Sequence, residues 1–386
     1  VKELLIFEPN FRGHHLHWVR WIANKGLAEG YRVVFATTRD AIQSSEFEIH
    51  LAEIAERLTI DSEFDHLLSN KRWLPMVSTV RALSKVAAKY PSARLIIPYA
   101  DRGMSQFAAL MQRVGMRVLR SDIDSDAVIM RGGFAYPCRS LMESVYRQAL
   151  FVTLAWVPWR RVHFIDELAF DYVMRRGGAL ARKSFLLPDP AEIGASINRE
   201  DARRRVGIPL DGRYIGCYGL LDRRKGVDLL VRAFGAADLK STDRLLLVGK
   251  ADAAVKAEIE NIKHNFPNRE IIVIDRYVSE DELNAAVSAL DLVCAPYPRH
   301  IGSASVVIRA AALHRPVLGH EFGWIGHAIE RADLGWTCKL DELSQQLRVA
   351  LDAAPNWRPS ESTLKFNESR TVDSFQRALF DAPLRS

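Results

Sequence analysis

The chain has 386 residues, 48% of them hydrophobic and 26% charged, which is too long for one ordinary core, suits two domains and excludes bulk disorder. Its 53 Lys and Arg against 47 Asp and Glu leave a formal charge of +6, a mild bias toward anionic partners such as nucleotide phosphates or anionic lipid. Zinc-finger spacing, an aromatic RNA-binding signature and long basic runs are missing, which sets nucleic acid aside as a partner.

The sequence opens on a strand pattern, Glu3 to Glu8, with no charged-then-apolar leader. Further strands are predicted at Arg32 to Thr37, Arg94 to Pro98, Arg117 to Arg120, Ala127 to Met130, His163 to Asp166 and Phe185 to Leu187. Leu187-Pro188-Asp189-Pro190 then stops regular structure and marks a linker. A charged helix from Asn198 to Val206 follows, and the second half resumes with strands at Tyr214 to Gly219, Arg244 to Val248, Glu270 to Ile274, Leu292 to Ala295 and Val317 to Gly319. Strands alternating with amphipathic segments predict an α/β chain with one doubly wound parallel sheet in each half. A final helix from Asp373 to Phe380 is free to pack back on the first domain.

The longest apolar stretch, Leu150 to Trp159, has about half the length of a membrane-spanning helix, so the chain is expected to be cytoplasmic, soluble or attached to one membrane face. Within Tyr146 to Arg161, the residues Phe151, Leu154, Trp156 and Trp159 suit either a core helix or a peripheral membrane contact finished by Arg160. Cys138, Cys217, Cys294 and Cys338 form no Cys-x-x-Cys pair and read as buried, reduced residues, and no metal site is expected.

Ligand chemistry is expected in loops at the carboxyl ends of parallel strands. The first strand runs into Glu8-Pro9-Asn10-Phe11-Arg12-Gly13-His14-His15 at the start of a helix, where free amides meet an anion and the histidines either donate to phosphate or sugar or cap the helix. In the second half, Gly219-Leu220-Leu221-Asp222-Arg223-Arg224-Lys225-Gly226 places three consecutive cations beside a helix start, a diphosphate-binding pattern that lacks the spacing of a Walker loop. Gly249, in Leu247-Val248-Gly249-Lys250, suits a ligand contact or close packing. The most informative run is Pro296-Tyr297-Pro298-Arg299-His300-Ile301-Gly302-Ser303-Ala304-Ser305, leading into an Ala-rich helix with Arg309. There Gly302 permits close backbone approach, the amides of Ser303, Ala304 and Ser305 point out of the helix start, and Ser303 is either ligand or N-cap.

These runs resemble the family 4 retaining glycosyltransferases of GT-B fold. The likeness passes from Leu187-Pro188-Asp189-Pro190 through Gly219 to Leu230, Leu247-Val248-Gly249 and Asp291 to Pro296, and ends near Gly335. In the first half it is carried by Gly13-His14-His15 and Gly30-Tyr31-Arg32-Val33-Val34. It implies two Rossmann-like domains facing a central cleft: residues 1–188 on the acceptor side and 189–364 on the nucleotide-sugar donor side, with 365–386 as a terminal helix. It further implies metal-independent transfer with retention, from a nucleoside-diphosphate sugar (a UDP- or GDP-sugar) to a saccharide or lipid-linked acceptor in polysaccharide or glycoconjugate synthesis.

By the same resemblance Lys225 matches the lysine on donor phosphate, Gly13 the glycine loop near the transferred sugar, and Gly302 the glycine after the first acidic residue of the family pattern. Ile301 and Arg309 stand where the family has two glutamates, Leu220 where it has an arginine, and Pro98-Tyr99-Ala100-Asp101-Arg102 at the strand end that often carries a histidine. Arg223, Arg224 and Lys225 are assigned to the diphosphate, Ser303 and Ser305 to its oxygens or the sugar, and Arg299 and His300 to the sugar's flanks. His14, Tyr99 and Asp101 are assigned to the acceptor side. The alternatives are a GT-B-shaped binder without catalysis and a sugar-nucleotide epimerase.

Overall fold

The computed structural model describes residues 2–13, 15–68, 75–101, 104–116, 118–120, 122–194 and 197–384. Two compact units divide it: the first takes residues up to Pro188 together with those from Gln376 onward, and the second takes Asp189–Phe375.

In the first unit seven parallel strands line up as β3-β2-β1-β4-β5-β6-β7, with β1 at Glu3–Phe7, β2 at Arg32–Ala36, β3 at Thr59–Asp61, β4 at Arg94–Ile97, β5 at Ser125–Ile129, β6 at Arg161–Phe164 and β7 at Ser184–Leu186. Leu4, Leu5, Ile6 and Phe7 are all buried, because a strand covered by helices on both faces has no solvent side to make polar. β1 pairs with β2 through Leu5 and Val34 and with β4 through Leu5 and Leu95.

The second unit repeats the plan with six parallel strands in the order β10-β9-β8-β11-β12-β13. Their ranges are β8 Arg213–Tyr218, β9 Asp243–Val248, β10 Glu270–Ile274, β11 Leu292–Ala295, β12 Val317–His320 and β13 Gly335–Cys338. In each unit the winding direction reverses once, between β1 and β4 and between β8 and β11, and there the loops at the carboxyl ends diverge to leave room for a ligand.

Three features depart from the predicted pattern. β3 and β13 carry no continuous apolar run; β3 lies at the outer edge of β2 and β13 at that of β12, and pairing creates them as strands. The run expected to be a strand at Arg117 to Arg120 has Arg117 outside the described residues, while Val118 and Leu119 bury their side chains in a bend that no ladder joins. Cys217, Cys294 and Cys338 are buried as expected, and burial pushes the Cys338 thiol up to about 12, but Cys138 is exposed.

The last turn of the helix Val372–Phe380 is held inside the first unit by Arg94 at the start of β4. Its guanidinium donates to the carbonyls of Phe380 at 2.9 Å and Leu379 at 2.8 Å, and its Nε donates to Asp126 Oδ2 at 2.8 Å. Terminal helix carbonyls lack intrahelical partners, so a fixed cation satisfies them and meets the negative end of the helix. Asp126 also accepts from Arg161 and from His163 Nε2 at 2.7 Å.

Candidate functional site

In the second unit the site grows from the end of β8. Gly219 takes φ +85°, and a Cβ there would lie 2.7 Å from Lys225 Nζ. Its neighbour across the sheet, Gly249, takes φ +131°, and a Cβ there would lie 1.9 Å from the Gly219 carbonyl oxygen. Gly249 is thus where one strand-end loop passes over another, with no room for a side chain.

Asp222 caps the following turn, its Oδ1 accepting from Lys225 N at 2.9 Å. This turn brings Lys225 back over the strand end, so that its Nζ donates to Tyr218 O at 3.0 Å and lies 5.9 Å from the Tyr297 ring centre. Burial pushes the pKa of the Lys225 ammonium down, and Arg224 adds to the effect. A poorly solvated cation gains more from an anion than an exposed one does. Arg223 and Arg224 are exposed and reach Asp228 at 3.8 Å and Asp222 at 3.5 Å, long contacts that leave their charges loosely committed.

The loop after β11 meets this one directly. A Cβ on Gly226, which has φ +70°, would lie 2.5 Å from the Pro296 carbonyl oxygen. Tyr297 is buried against Lys225, and its carbonyl accepts from His320 Nδ1 at 2.9 Å, which ties in the end of β12. His300 Nε2 donates to Ser303 O at 2.7 Å, so Nε2 carries a proton and closes a tight turn around Gly302, which is buried at φ +96°. Arg299 lies 5.6 Å over the Phe322 ring. The helix Ser305–Ala312 begins just beyond, with Ala304 as its N-cap residue and Ser305 exposed.

Two assigned residues are occupied by protein partners. Ser303 does not cap the helix: its Oγ donates to Asp189 Oδ2 at 2.7 Å, from the proline-rich linker. Arg309 is buried and bridges to the helix Glu280–Ala289, donating to Asn284 Oδ1 at 2.5 Å and Glu280 Oε2 at 2.6 Å. Lys225, Arg224, Gly302, Ala304 and Ser305 therefore share the β8/β11 reversal, whereas Gly249 backs it and Arg309 braces the helix behind it.

The first unit holds the corresponding β1/β4 reversal. Gly13, at φ +78°, turns the chain after β1 with open space around it, while His14 lies outside the described residues. His15 stacks on Tyr99 from the end of β4, with ring centres 3.8 Å apart. His15 Nδ1 lies 3.1 Å from Oε2 of the buried Glu8, whose Oε1 accepts from Asn10 N at 2.9 Å. Asp101 Oδ2 accepts from Met130 N at 2.7 Å and so braces the neighbouring strand end. A cavity of about 520 Å³ opens beside this reversal at the ends of β1, β2 and β3, lined by Asn10, Thr38, Asp40, Glu63, Asp65 and Thr79 among others. These walls are mostly polar and offer hydrogen bonds to hydroxyls, with Phe11 and Leu68 adding an apolar part. His15 is one of the two histidines the sequence offered as donors or caps, whereas Glu8, Tyr297 and Asp189 were not assigned from sequence; a strand-end acid two residues before Asn10 was the available signal for Glu8, and none marked Asp189 as a partner of Ser303.

Residues 212–353 match the family described as glycosyl transferases group 1. A D-inositol 3-phosphate glycosyltransferase of Corynebacterium aurimucosum is 32% identical over 186 residues, covering 47% of this chain and 41% of that protein, so the chain spans about two fifths of this curated relative's length. Sucrose-phosphate synthase of Thermosynechococcus elongatus superimposes with TM-score 0.72 at 17% identity, over 99% of this chain and 100% of that one. Anabaena HepE in complex with UDP gives TM-score 0.67 at 12% identity, over 98% of each chain. The family match thus falls within the second unit, and the chain has the GT-B fold.

Proposed function

We propose that the chain transfers a sugar from a nucleoside-diphosphate sugar, held by the second unit, to a saccharide or lipid-linked acceptor held by the first, with retention and without a metal. The observation that carries this reading is the meeting of the Lys225 turn with the loop after β11 at the β8/β11 reversal, where Gly226 abuts the Pro296 carbonyl and Lys225 Nζ lies 5.9 Å from the Tyr297 ring. Lys225, with Arg223 and Arg224, takes the diphosphate; the amides of Ala304 and Ser305 take its oxygens; Arg299 and His300 flank the sugar. Fixed cations and amides aimed at a leaving diphosphate stabilise the charge that develops as the sugar departs, the largest share of many enzymes' rate enhancement. Its relative HepE was solved with UDP and with UDP-glucose, which supports a uridine donor. The polar cavity lined by Asn10, Thr38, Asp40 and Glu63 takes the acceptor, and the reaction belongs in the cytoplasm, in polysaccharide or glycoconjugate synthesis.

Ile301 and Arg309 at the family's two glutamate positions favour a second reading, a binder without turnover. A panel of UDP-, GDP- and ADP-sugars separates the two. Nucleotide release with a glycosylated product in EDTA supports the transferase. Saturable binding with no product from any donor and acceptor pair overturns it in favour of the binder.

A further inference from the structure

The helix Leu141–Ala155 is apolar on two opposite faces. Leu154 and Arg147 are buried on one of them, with Arg147 Nη1 donating to the carbonyls of Gly133 at 2.7 Å and Tyr136 at 3.0 Å. Phe151 joins the core on that side and Trp159, after the helix, is 2% exposed with its Nε1 donating to Ser105 Oγ at 3.1 Å. Of the residues read as a membrane contact from sequence, then, Phe151, Leu154 and Trp159 belong to the core.

Trp156 of that pattern lies on the other face, together with residues it did not single out. Leu141 is 82% exposed, Met142 83%, Val145 63%, Tyr146 64%, Val152 45% and Trp156, just past the helix end, 41%. At 100° per residue these six fall within an arc of about 140°. A surface helix ordinarily turns charged and polar residues outward, so this stripe inverts the usual arrangement. The adjoining helix Met104–Arg113 extends it: Arg113 Cζ lies 4.8 Å over the Trp156 ring, and Val114, in the turn that follows, is 74% exposed. Contiguous exposed apolar surface of this kind marks a docking face.

The charge around it selects the occupant. Arg113, Arg139 and Arg160 are exposed at its margin. The neighbouring acids are already engaged, Glu143 with Arg147 and the Arg139 amide, and Asp122 with Arg120. A second copy of the chain would bring the same arginines face to face, whereas an anionic lipid surface complements them. Tyr and Trp at a margin of arginine suit headgroup depth, with rings in the interface and guanidinium on phosphate. No helix among the described residues is long and apolar enough to cross a membrane. We infer that the exposed face of Leu141–Ala155 docks the chain on the surface of an anionic bilayer.

This inference is independent of the transferase reading, and its test uses no sugar. The full chain is sedimented with vesicles of phosphatidylcholine containing about one third phosphatidylglycerol, and with phosphatidylcholine alone, at low and high salt. Partition onto the anionic vesicles, weakened by salt, is expected. The double variant Met142→Glu/Val145→Glu should lower it about tenfold or more while leaving the melting temperature and nucleotide binding unchanged, because both side chains lie in solvent. Equal partition of the variant and the parent, or no partition at either salt, overturns the proposal. So does a concentration-dependent dimer that the same double variant dissolves, which would assign the face to a second copy.

Discussion

Lys225 Nζ donates to the Tyr218 carbonyl oxygen at 3.0 Å, so a cation assigned to phosphate is held over its own strand end. A diphosphate arriving there replaces a neutral acceptor with a charged one. Lys225→Ala should therefore weaken nucleoside-diphosphate binding by on the order of 1.5 to 3 kcal/mol, or roughly ten- to a hundredfold, with folding intact. Isothermal titration with UDP and GDP reads this directly, and an unchanged Kd in a folded variant removes Lys225 from the site.

Arg309 behaves differently, because both partners it touches are protein. Arg309→Ala is expected to leave Asn284 and Glu280 short of a donor and to lower stability by about 1 to 3 kcal/mol, measured by urea unfolding. Nucleotide affinity at a temperature where the variant is folded should stay near that of the parent; a large loss there would return Arg309 to the donor site.

Gly249→Ala would place a Cβ at 1.9 Å from the Gly219 carbonyl, at a φ of +131° that side chains rarely adopt. The loop carrying Lys225 must move to accommodate it. We expect a cost of about 2 kcal/mol or more in stability together with loss of nucleotide binding. A thermal melt and a titration on the same sample check both, and a variant as stable as its parent would contradict the crossing of the two loops.

Two buried carboxyls of the first unit give opposite pH signatures. Burial alone would raise the pKa of Asp126, but the hydrogen bonds from Arg161 and His163 and the charge of Arg94 outweigh it and hold the group well below its usual 3.8. Its stabilising contribution is complete above that value and is lost as pH falls through the depressed one. Burial drives Asp166 up to about 7, with the Glu167 charge adding, against the donating Tyr136 hydroxyl. A raised carboxyl favours the fold below its unfolded value and ceases to do so as pH rises through about 7. Asp166→Asn should accordingly flatten the decline in stability between about pH 4 and 7, and Asp126→Asn should cost about 3 to 5 kcal/mol at neutral pH by leaving buried cations without their partner. Urea midpoints across this range decide both.

Both sheets were largely legible from sequence because central parallel strands are buried on two faces and so read as continuous apolar runs, as Leu4 to Phe7 does. The outer strands Thr59–Asp61 and Gly335–Cys338 were not, since their strand character comes from a neighbour and not from their own side chains. At the candidate site, glycine and cation spacing located the Gly219 and Gly302 loops. What a side chain does when no ligand is present, such as Ser303 donating to Asp189 or Arg309 to Glu280, depends on residues far away in the chain, and local pattern holds no trace of it. The exposed stripe from Leu141 to Trp156 was legible only in part: Trp156 stood out as a candidate membrane contact, but Leu141, Met142 and Val145 precede that aromatic run, and a helix rich in apolar residues is ordinarily read as core.

The hold of Arg94 on Leu379 and Phe380 bears on the order of assembly during synthesis. Most of the first unit leaves the ribosome early, yet the carbonyls that complete its Arg94 contacts are made only after the whole second unit. Until then this guanidinium lacks the two carbonyls, which belong to a segment nearly two hundred residues downstream of the unit's main body. A single cut at the linker would leave the closing turn on a separate polypeptide, whereas one chain supplies both pieces in equal number.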